Sequence, residues 1–288
     1  MNLRQLECFH AVAKHLNFTR AAGELNMAQP AVSIAVQKLE HALRLTLFNR
    51  QDKRISLTAE GERLLHHSRL ILSQLRDARR EMAELSGLER GEVSIGIPSM
   101  LGSYYFPPLL MAFKHRYPDL KLSVVEAGTR AIQQMLFSGE LDLGIVVDHN
   151  LPDTLETHGF LEEEMIVCVN REHPFAQQPS VSVEAFFAEE LALFKPGYFH
   201  REFIDQLCQA HQLHPQIAFE TNLIPLTKSI VANGFAITTF LRMVIAGDSE
   251  LVAIPFSNPV HLKLAIACKR GGYLSRANRA FLDFMLAQ

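Results

Sequence analysis

The sequence predicts an α/β chain that opens with an all-α winged helix-turn-helix, continues through a long linker helix and ends in two doubly wound α/β subdomains. Three observations carry this. Two short helical patterns lie only a few residues apart between Phe18 and Glu40 and precede a strand pair around a basic turn. An apolar seam at alternating four- and three-residue spacing runs unbroken from Leu64 to Leu85. From Glu92 onward, strand patterns alternate with helix patterns.

The first short helix starts at about Thr19, read as its N-cap, and buries Ala21, Ala22 and Leu25 on one face. Asn26 and Met27 make the turn. The second opens near Gln29 with Pro30 in its first turn, where the missing N–H costs nothing, and its apolar stripe is Val32, Val36, Leu39 and Leu43. Pro30, Ser33, Ile34 and Gln37 are left on the opposite face. A helix lying in a major groove presents such a face to base edges, and Gln29, Ser33 and Gln37 can donate to or accept from bases and phosphates. Spacing alone fits an ordinary helical hairpin equally well.

The next segment shifts that balance. Leu45 to Phe48 and Ile55 to Leu57 read as short strands flanking a polar turn that holds Arg50, Lys53 and Arg54, a wing whose cations can grip phosphates or enter a minor groove. A solvated hairpin tip is the plainer reading of such a charge cluster. The charge distribution supports the wing: residues 1–58 carry eight Lys/Arg against four Asp/Glu, whereas residues 59–288 carry 20 against 27.

The seam that follows comprises Leu64, Ser68, Ile71, Leu75, Ala78, Met82 and Leu85 in a run free of Gly and Pro. A helix from Thr58 to Ser86 would span roughly 43 Å at about 1.5 Å per residue. The narrow seam points to pairing with a second copy through Leu64, Ile71, Leu75 and Met82, the alternative being a helix packed on its own chain. Gly87 and Gly91, around Glu89 and Arg90, then make a hinge.

Beyond it, strands at Glu92–Ile97, Lys121–Glu126 and Leu143–Val147 alternate with helices at Tyr104–Tyr117 and Thr129–Phe137. A second unit starts with a strand at Met165–Val169, passes through a helix at Phe199–His211 and reaches a strand at Ala236–Phe240. A strand at Leu262–Cys268 and a helix at Ser275–Leu286 can return to the first unit. Ligands of open α/β sheets sit beyond the carboxyl ends of strands, so the turn from Pro98 to Ser103 can hold an anion, most simply a carboxylate. Gly128-Thr129, the loop Lys195-Pro196-Gly197-Tyr198 and the pair Thr238-Thr239 are comparable positions. Ser99 and its counterparts are read equally well as helix caps.

Catalytic signals are poor: there is no G-x-S-x-G, no Walker-type loop, no G-x-G-x-x-G and no H-E-x-x-H. Cys8, Cys168, Cys208 and Cys268 lack C-x-x-C spacing and lie mostly in apolar runs, as expected of reduced buried thiols. His66-His67 and His211-x-x-His214 have no third ligand nearby, so neither a metal nor any other cofactor is expected. No signal peptide pattern and no apolar run near 18 residues is present, so the expectation is a cytoplasmic chain that does not engage a membrane.

Leu3-Arg4-Gln5-Leu6, Phe9, Val12-Ala13, Phe18-Thr19, Ala21-Ala22, Leu25, Gln29-Pro30-Ala31, Ser33, Leu39-Glu40, Leu43, Leu47-Phe48, Arg50 and Leu57-Thr58 with Gly61 resemble the winged helix-turn-helix of LysR-type transcriptional regulators. The resemblance implies DNA contacts at Gln29, Pro30, Ser33 and Arg50, with Lys53 and Arg54 as further basic candidates. With Thr19, Ile34 and Gln37 they complete the expected DNA-binding set. Ile34 departs from the family, which often carries a basic residue there; an isoleucine offers only apolar contact, for instance to a thymine methyl. The resemblance further implies three regions: a DNA-binding domain at 1–58, a linker and dimerisation helix at 59–87, and an effector-binding domain at 88–288. In the last, subdomain I (88–162 and 267–288) and subdomain II (163–266) are joined by two crossing segments, as in periplasmic binding proteins. A small effector, an organic acid by the polarity of the loops, would sit between them near Ser99, Met100, Thr129, Tyr198 and Thr238. The implied partners are interrupted palindromic promoter sites on double-stranded DNA, a second copy in a homodimer, a homotetramer built from two dimers, and RNA polymerase. A metabolite-binding or catalytic α/β domain whose N-terminal hairpin only packs is the competing reading.

Overall fold

The structure, a computed structural model, describes residues 1–50, 55–86, 91–149 and 151–288. Lys53 and Arg54 of the wing, and Gly87, Glu89 and Arg90 of the expected hinge, lie outside the described residues. The chain divides into two units, Met1–Gly87 and Leu88–Gln288.

The N-terminal unit begins with α1 (Leu3–His15), capped by Asn2 and Gln5 in a reciprocal box whose two hydrogen bonds are both 2.9 Å. α2 (Phe18–Glu24) and α3 (Gln29–Leu43) follow, with Asn26 at φ 51° turning the chain between them. Thr19 is not the cap of α2: Asn17 is extended and its side chain accepts from Arg20 N, which leaves Thr19 inside the helix. Val32, Val36 and Leu39 are fully buried against Phe9, Val12, Ala21 and Ala22. The wing strands are shorter and later than expected: β1 is Phe48–Asn49 and β2 is Ser56–Leu57, paired antiparallel. α4 (Ala59–Leu85) is capped by Thr58, whose hydroxyl accepts from Gly61 N. Gly61 packs so closely on the Leu47 carbonyl that a Cβ there would collide with it.

In the C-terminal unit, β3 (Glu92–Ile97) leads into α5 (Ser99–Tyr104), a helix where the sequence reads as a turn, and α6 (Phe106–Arg116), close to the expected Tyr104–Tyr117. Pro107 and Pro108 explain the break, since they lack the N–H groups that a continuous helix needs and are tolerated only in a first turn. β4 (Lys121–Glu126), α7 (Thr129–Ser138) and β5 (Leu143–Val147) complete the first half, with β3 parallel to both other strands. β6 (Leu155–Asn170) is followed by α8 (Val183–Phe187), β7 (Glu190–Leu193), α9 (Phe199–His211), β8 (Gln216–Glu220), α10 (Ile224–Ala232) and β9 (Thr238–Leu241). β10 (Leu251–Lys269) then returns, and α11 (Arg276–Leu286) packs Phe281 and Phe284 against Phe113 of α6.

The main sheet runs β4-β3-β5-β10-β6-β9, with β7 and β8 forming a parallel pair beside it. The strands of the two α/β halves are thus linked through β10 and β6 into one mixed sheet. The crossing segments are β6 and β10, antiparallel partners from Leu155↔Lys269 to Asn170↔Leu251, with irregularities between Pro255 and Val260 and between Leu264 and Ala265. The sequence shows only their apolar ends. Glu156, Gly159 and Glu162 in β6 are exposed, so the pattern there lacks a buried face.

Candidate DNA interface and effector cleft

The buried stripe of α3 fixes which face it turns outward. Gln29, Pro30 and Gln37 are exposed, Ser33 is half-buried, and Ile34 is 50% exposed. Thr19 on α2 is exposed too. Arg50 differs from a free phosphate-seeking cation. Its Nη2 lies 2.8 Å from Glu40 Oε2 and its guanidinium carbon 5.4 Å from the Phe18 ring centre. Glu40 Oε1 in turn accepts from the backbone N–H groups of Leu47 and Phe48 at 2.9 and 3.3 Å. One carboxylate on α3 thus holds three donors at the root of the wing, and the side chain of Arg50 keeps 38% exposure for other contacts.

On α4, Leu64 packs on the N-terminal core and Leu75 is half-buried, while Ile71, Met82 (57% exposed) and Leu85 stand open to solvent. An apolar row of this kind on a 27-residue helix is unsatisfied within its own chain.

The C-terminal unit holds a cleft of about 450 Å3 between α7, α9 and β10, lined by Thr129, Arg130, Phe199, Glu202, Phe203 and Lys263. An adjoining hollow contains Glu126, Arg130 and Tyr198. The two halves meet closely beside it: a Cβ on Gly128 would strike the Gly197 carbonyl, and the Tyr198 hydroxyl donates to Glu126 Oε1 at 3.2 Å. Burial, then the Glu126 charge, push the Tyr198 phenol up from its ordinary value. Arg130 Nε lies 2.9 Å from Glu202 Oε1 across the cleft.

Of the five residues expected around an effector, two line these hollows. Thr129 lines the cleft and Tyr198 its neighbour. Ser99 is half-buried at the start of α5, whereas Met100 is buried in the core. Thr238 is buried and its Oγ1 donates to the Ala192 carbonyl at 2.6 Å, which ties its hydroxyl to the neighbouring strand. Sequence reasoning misses Arg130, Glu202 and Lys263, although Arg130 directly follows Thr129 at a helix start. Among the described residues, no group of three His, Cys, Asp or Glu side chains is placed to hold a metal. Cys8, Cys168 and Cys268 are buried, and burial pushes the Cys168 thiol up to about 12, away from thiolate chemistry.

Residues 3–62 match the model of the bacterial regulatory helix-turn-helix proteins of the lysR family, and residues 86–288 match the LysR substrate binding domain. The chain belongs to the LysR family of transcriptional regulators. As a LysR-family member it is a DNA-binding regulator with a C-terminal substrate-binding domain. It is 30% identical to the uncharacterized HTH-type transcriptional regulator YcgK of Bacillus subtilis (strain 168), an alignment that covers 98% of this chain and 93% of YcgK. Its fold is that of a full-length OxyR variant from Pseudomonas aeruginosa, with a TM-score of 0.73 at 24% identity over 99% of this chain and 94% of OxyR. The regulatory domain of Synechocystis PCC6803 CcmR, solved in complex with 2-PG, matches 68% of this chain and 96% of its own length, with a TM-score of 0.63 at 23% identity. No helix among the described residues of this LysR-family chain is long and apolar enough to cross a membrane.

Proposed function

We propose that this LysR-family regulator reads promoter DNA with the outer face of α3 and is switched by a small molecule bound between the two halves of its C-terminal unit. The observation that carries the DNA part is the division of α3 into a fully buried stripe and an open face bearing Gln29, Pro30, Ser33, Ile34 and Gln37. Arg50 contributes from the wing, with Lys53 and Arg54 beside it in sequence and Thr19 at the edge of α2. Gel shifts of the full chain test this: preference for a promoter fragment over random DNA at moderate salt is expected, and equal affinity for both overturns it.

The working particle is a dimer paired along Leu64, Ile71, Leu75 and Met82, whose two reading helices engage half-sites of an interrupted palindrome; two dimers make a tetramer. The exposed row on α4 supports this reading. In domain terms, residues 1–58 read DNA, 59–87 pair the chains and 88–288 bind the effector, with 163–266 as the second lobe. The protein acts in the cytoplasm by changing how RNA polymerase meets a promoter, without turning over its effector. That the CcmR regulatory domain holds 2-PG supports a small-molecule site in the matching region. Ligand binding alters DNA binding only if its affinity differs between two arrangements of the lobes.

A further inference from the structure

We propose that Glu40 is a positioning residue for DNA recognition: by locking the Arg50 guanidinium to α3, it lets the wing bond a phosphate only where α3 is seated on its own sequence. The proposal rests on reading α3 and Arg50 as DNA contacts and specifies how the two are coupled.

Glu40 follows Gln37 by three residues and Ser33 by seven, spacings that place it beside these side chains along α3. Its side chain is only 15% exposed, and both oxygens are engaged. One accepts from the N–H groups of Leu47 and Phe48, the other from Arg50 Nη2. A second hold on Arg50 is independent of the carboxylate. The guanidinium carbon lies over the Phe18 ring, which meets Phe48 edge-on at 6.1 Å, and Phe48 in turn lies 5.4 Å from Phe9. The ring beneath Arg50 therefore belongs to a stack drawn from α1, α2 and β1, while the carboxylate beside it belongs to α3. An arginine on a surface turn ordinarily samples many rotamers. These two contacts order it before DNA arrives, and a guanidinium carries further N–H donors that Glu40 does not use.

Phosphate contacts carry no sequence information of their own. A cation free to swing finds a phosphate on any duplex and adds equally to specific and non-specific binding. A cation fixed to the reading helix finds one only when that helix sits at the right depth and register. The bond is then made on the operator and withheld elsewhere. Glu40 in this way converts a sequence-blind contact into a discriminating one, without touching a base itself.

Fluorescence-anisotropy titration of the full-length chain over a series of salt concentrations tests the idea. The probes are two duplexes of equal length and composition: one enriched by the wild-type chain from a randomised pool, the other its scrambled version. Glu40→Gln keeps an acceptor for Leu47 and Phe48 and deletes the charge that holds Arg50. It should lower the ratio of the two affinities by about fivefold or more, and steepen the salt dependence on the scrambled duplex by about 0.9, the increment of one further phosphate. Arg50→Met in the wild-type background should weaken the enriched duplex by about tenfold and the scrambled one by less than about twofold; in the Glu40→Gln background it should weaken both alike. Circular dichroism melts establish that the variants are folded. Arg50→Lys keeps the charge but not the planar fork, and should lower the ratio in the same direction while leaving the bonds from Leu47 and Phe48 to Glu40 in place.

An unchanged ratio in folded Glu40→Gln, or in Arg50→Lys where Glu40→Gln does not fold, overturns the proposal. Loss of a negative charge alone would raise affinity for the scrambled duplex even without Arg50. A gain that persists in Glu40→Gln/Arg50→Met therefore overturns it as well. Enrichment of a sequence from the pool together with either of these results leaves the DNA reading standing. Failure of the wild-type chain to enrich any sequence overturns that reading, and the proposal with it.

Discussion

Glu40 of α3 and Arg50 of the wing are joined at 2.8 Å, and the other oxygen of the same carboxylate accepts from Leu47 and Phe48 N–H. Helix α3 and the wing are thereby pinned to one another by a single side chain. Glu40→Ala should lower stability by about 1–3 kcal/mol, since two backbone donors and a cation lose their acceptor together. The Arg50→Met/Glu40→Gln cycle should show a smaller coupling of about 0.5–1 kcal/mol, because Arg50 is partly solvated. Urea denaturation of the variants measures both. A Glu40→Ala protein as stable as wild type would contradict the anchoring role.

Ile34 is a large apolar side chain on the face α3 turns to solvent. Ile34→Ala should change stability by no more than about 0.5 kcal/mol, as for other surface substitutions, yet alter which base is preferred opposite it. Ile34→Arg should add about one phosphate's worth to the salt dependence of binding or shift the preference toward guanine. Selection of operator variants from a randomised pool, run with the three proteins side by side, reads the preference directly.

Replacing Ile71 and Leu75 together by glutamate places charge in the middle of the α4 row. Sedimentation velocity should then show monomers. A variant that keeps the mass of the wild-type assembly would remove α4 as the pairing element.

His200 is buried between Phe194 and Phe199, at ring separations of 4.9 and 3.9 Å, with Nε2 unpaired. Burial drives its imidazole down to about 3. The folded chain therefore holds this histidine neutral, whereas the unfolded chain protonates it near 6.5. The stability it allows is fully present above about pH 6.5 and falls as pH drops from there toward 3, by at most roughly 1.4 kcal/mol per pH unit. His200→Phe should flatten the decline in melting temperature between about pH 6.5 and 5, and an unaltered slope would assign the acid sensitivity elsewhere.

Much of this architecture is legible in the sequence because local chemistry repeats it. Val32, Val36 and Leu39 mark the inner face of α3 by spacing, and β3, β4 and β5 are short runs rich in Val, Ile and Leu between turns. What escapes depends on neighbours remote in the chain. The wing starts late because the N–H groups of Leu47 and Phe48 are satisfied by Glu40 rather than by a strand partner. Asn17 and Thr19 are both good caps, and only the observed backbone separates them. Thr238 ends an apolar run as a ligand-binding residue would, but the Ala192 carbonyl beneath it is invisible in sequence. The Arg130–Glu202 pair joins α7 to α9 and leaves no local trace.

The paired strands β6 and β10 carry one last consequence. They pass through both lobes, and a single buried cluster extends from Val93 and Ile95 in one lobe to Phe240 and Ile254 in the other. Separating the lobes completely would strip hydrogen bonds and apolar cover from both at once, so a single melting transition is expected for the two. The C-terminal unit has two lobes in its topology but is expected to come apart as one. A lesion in either lobe therefore lowers the survival of the whole domain in the cell.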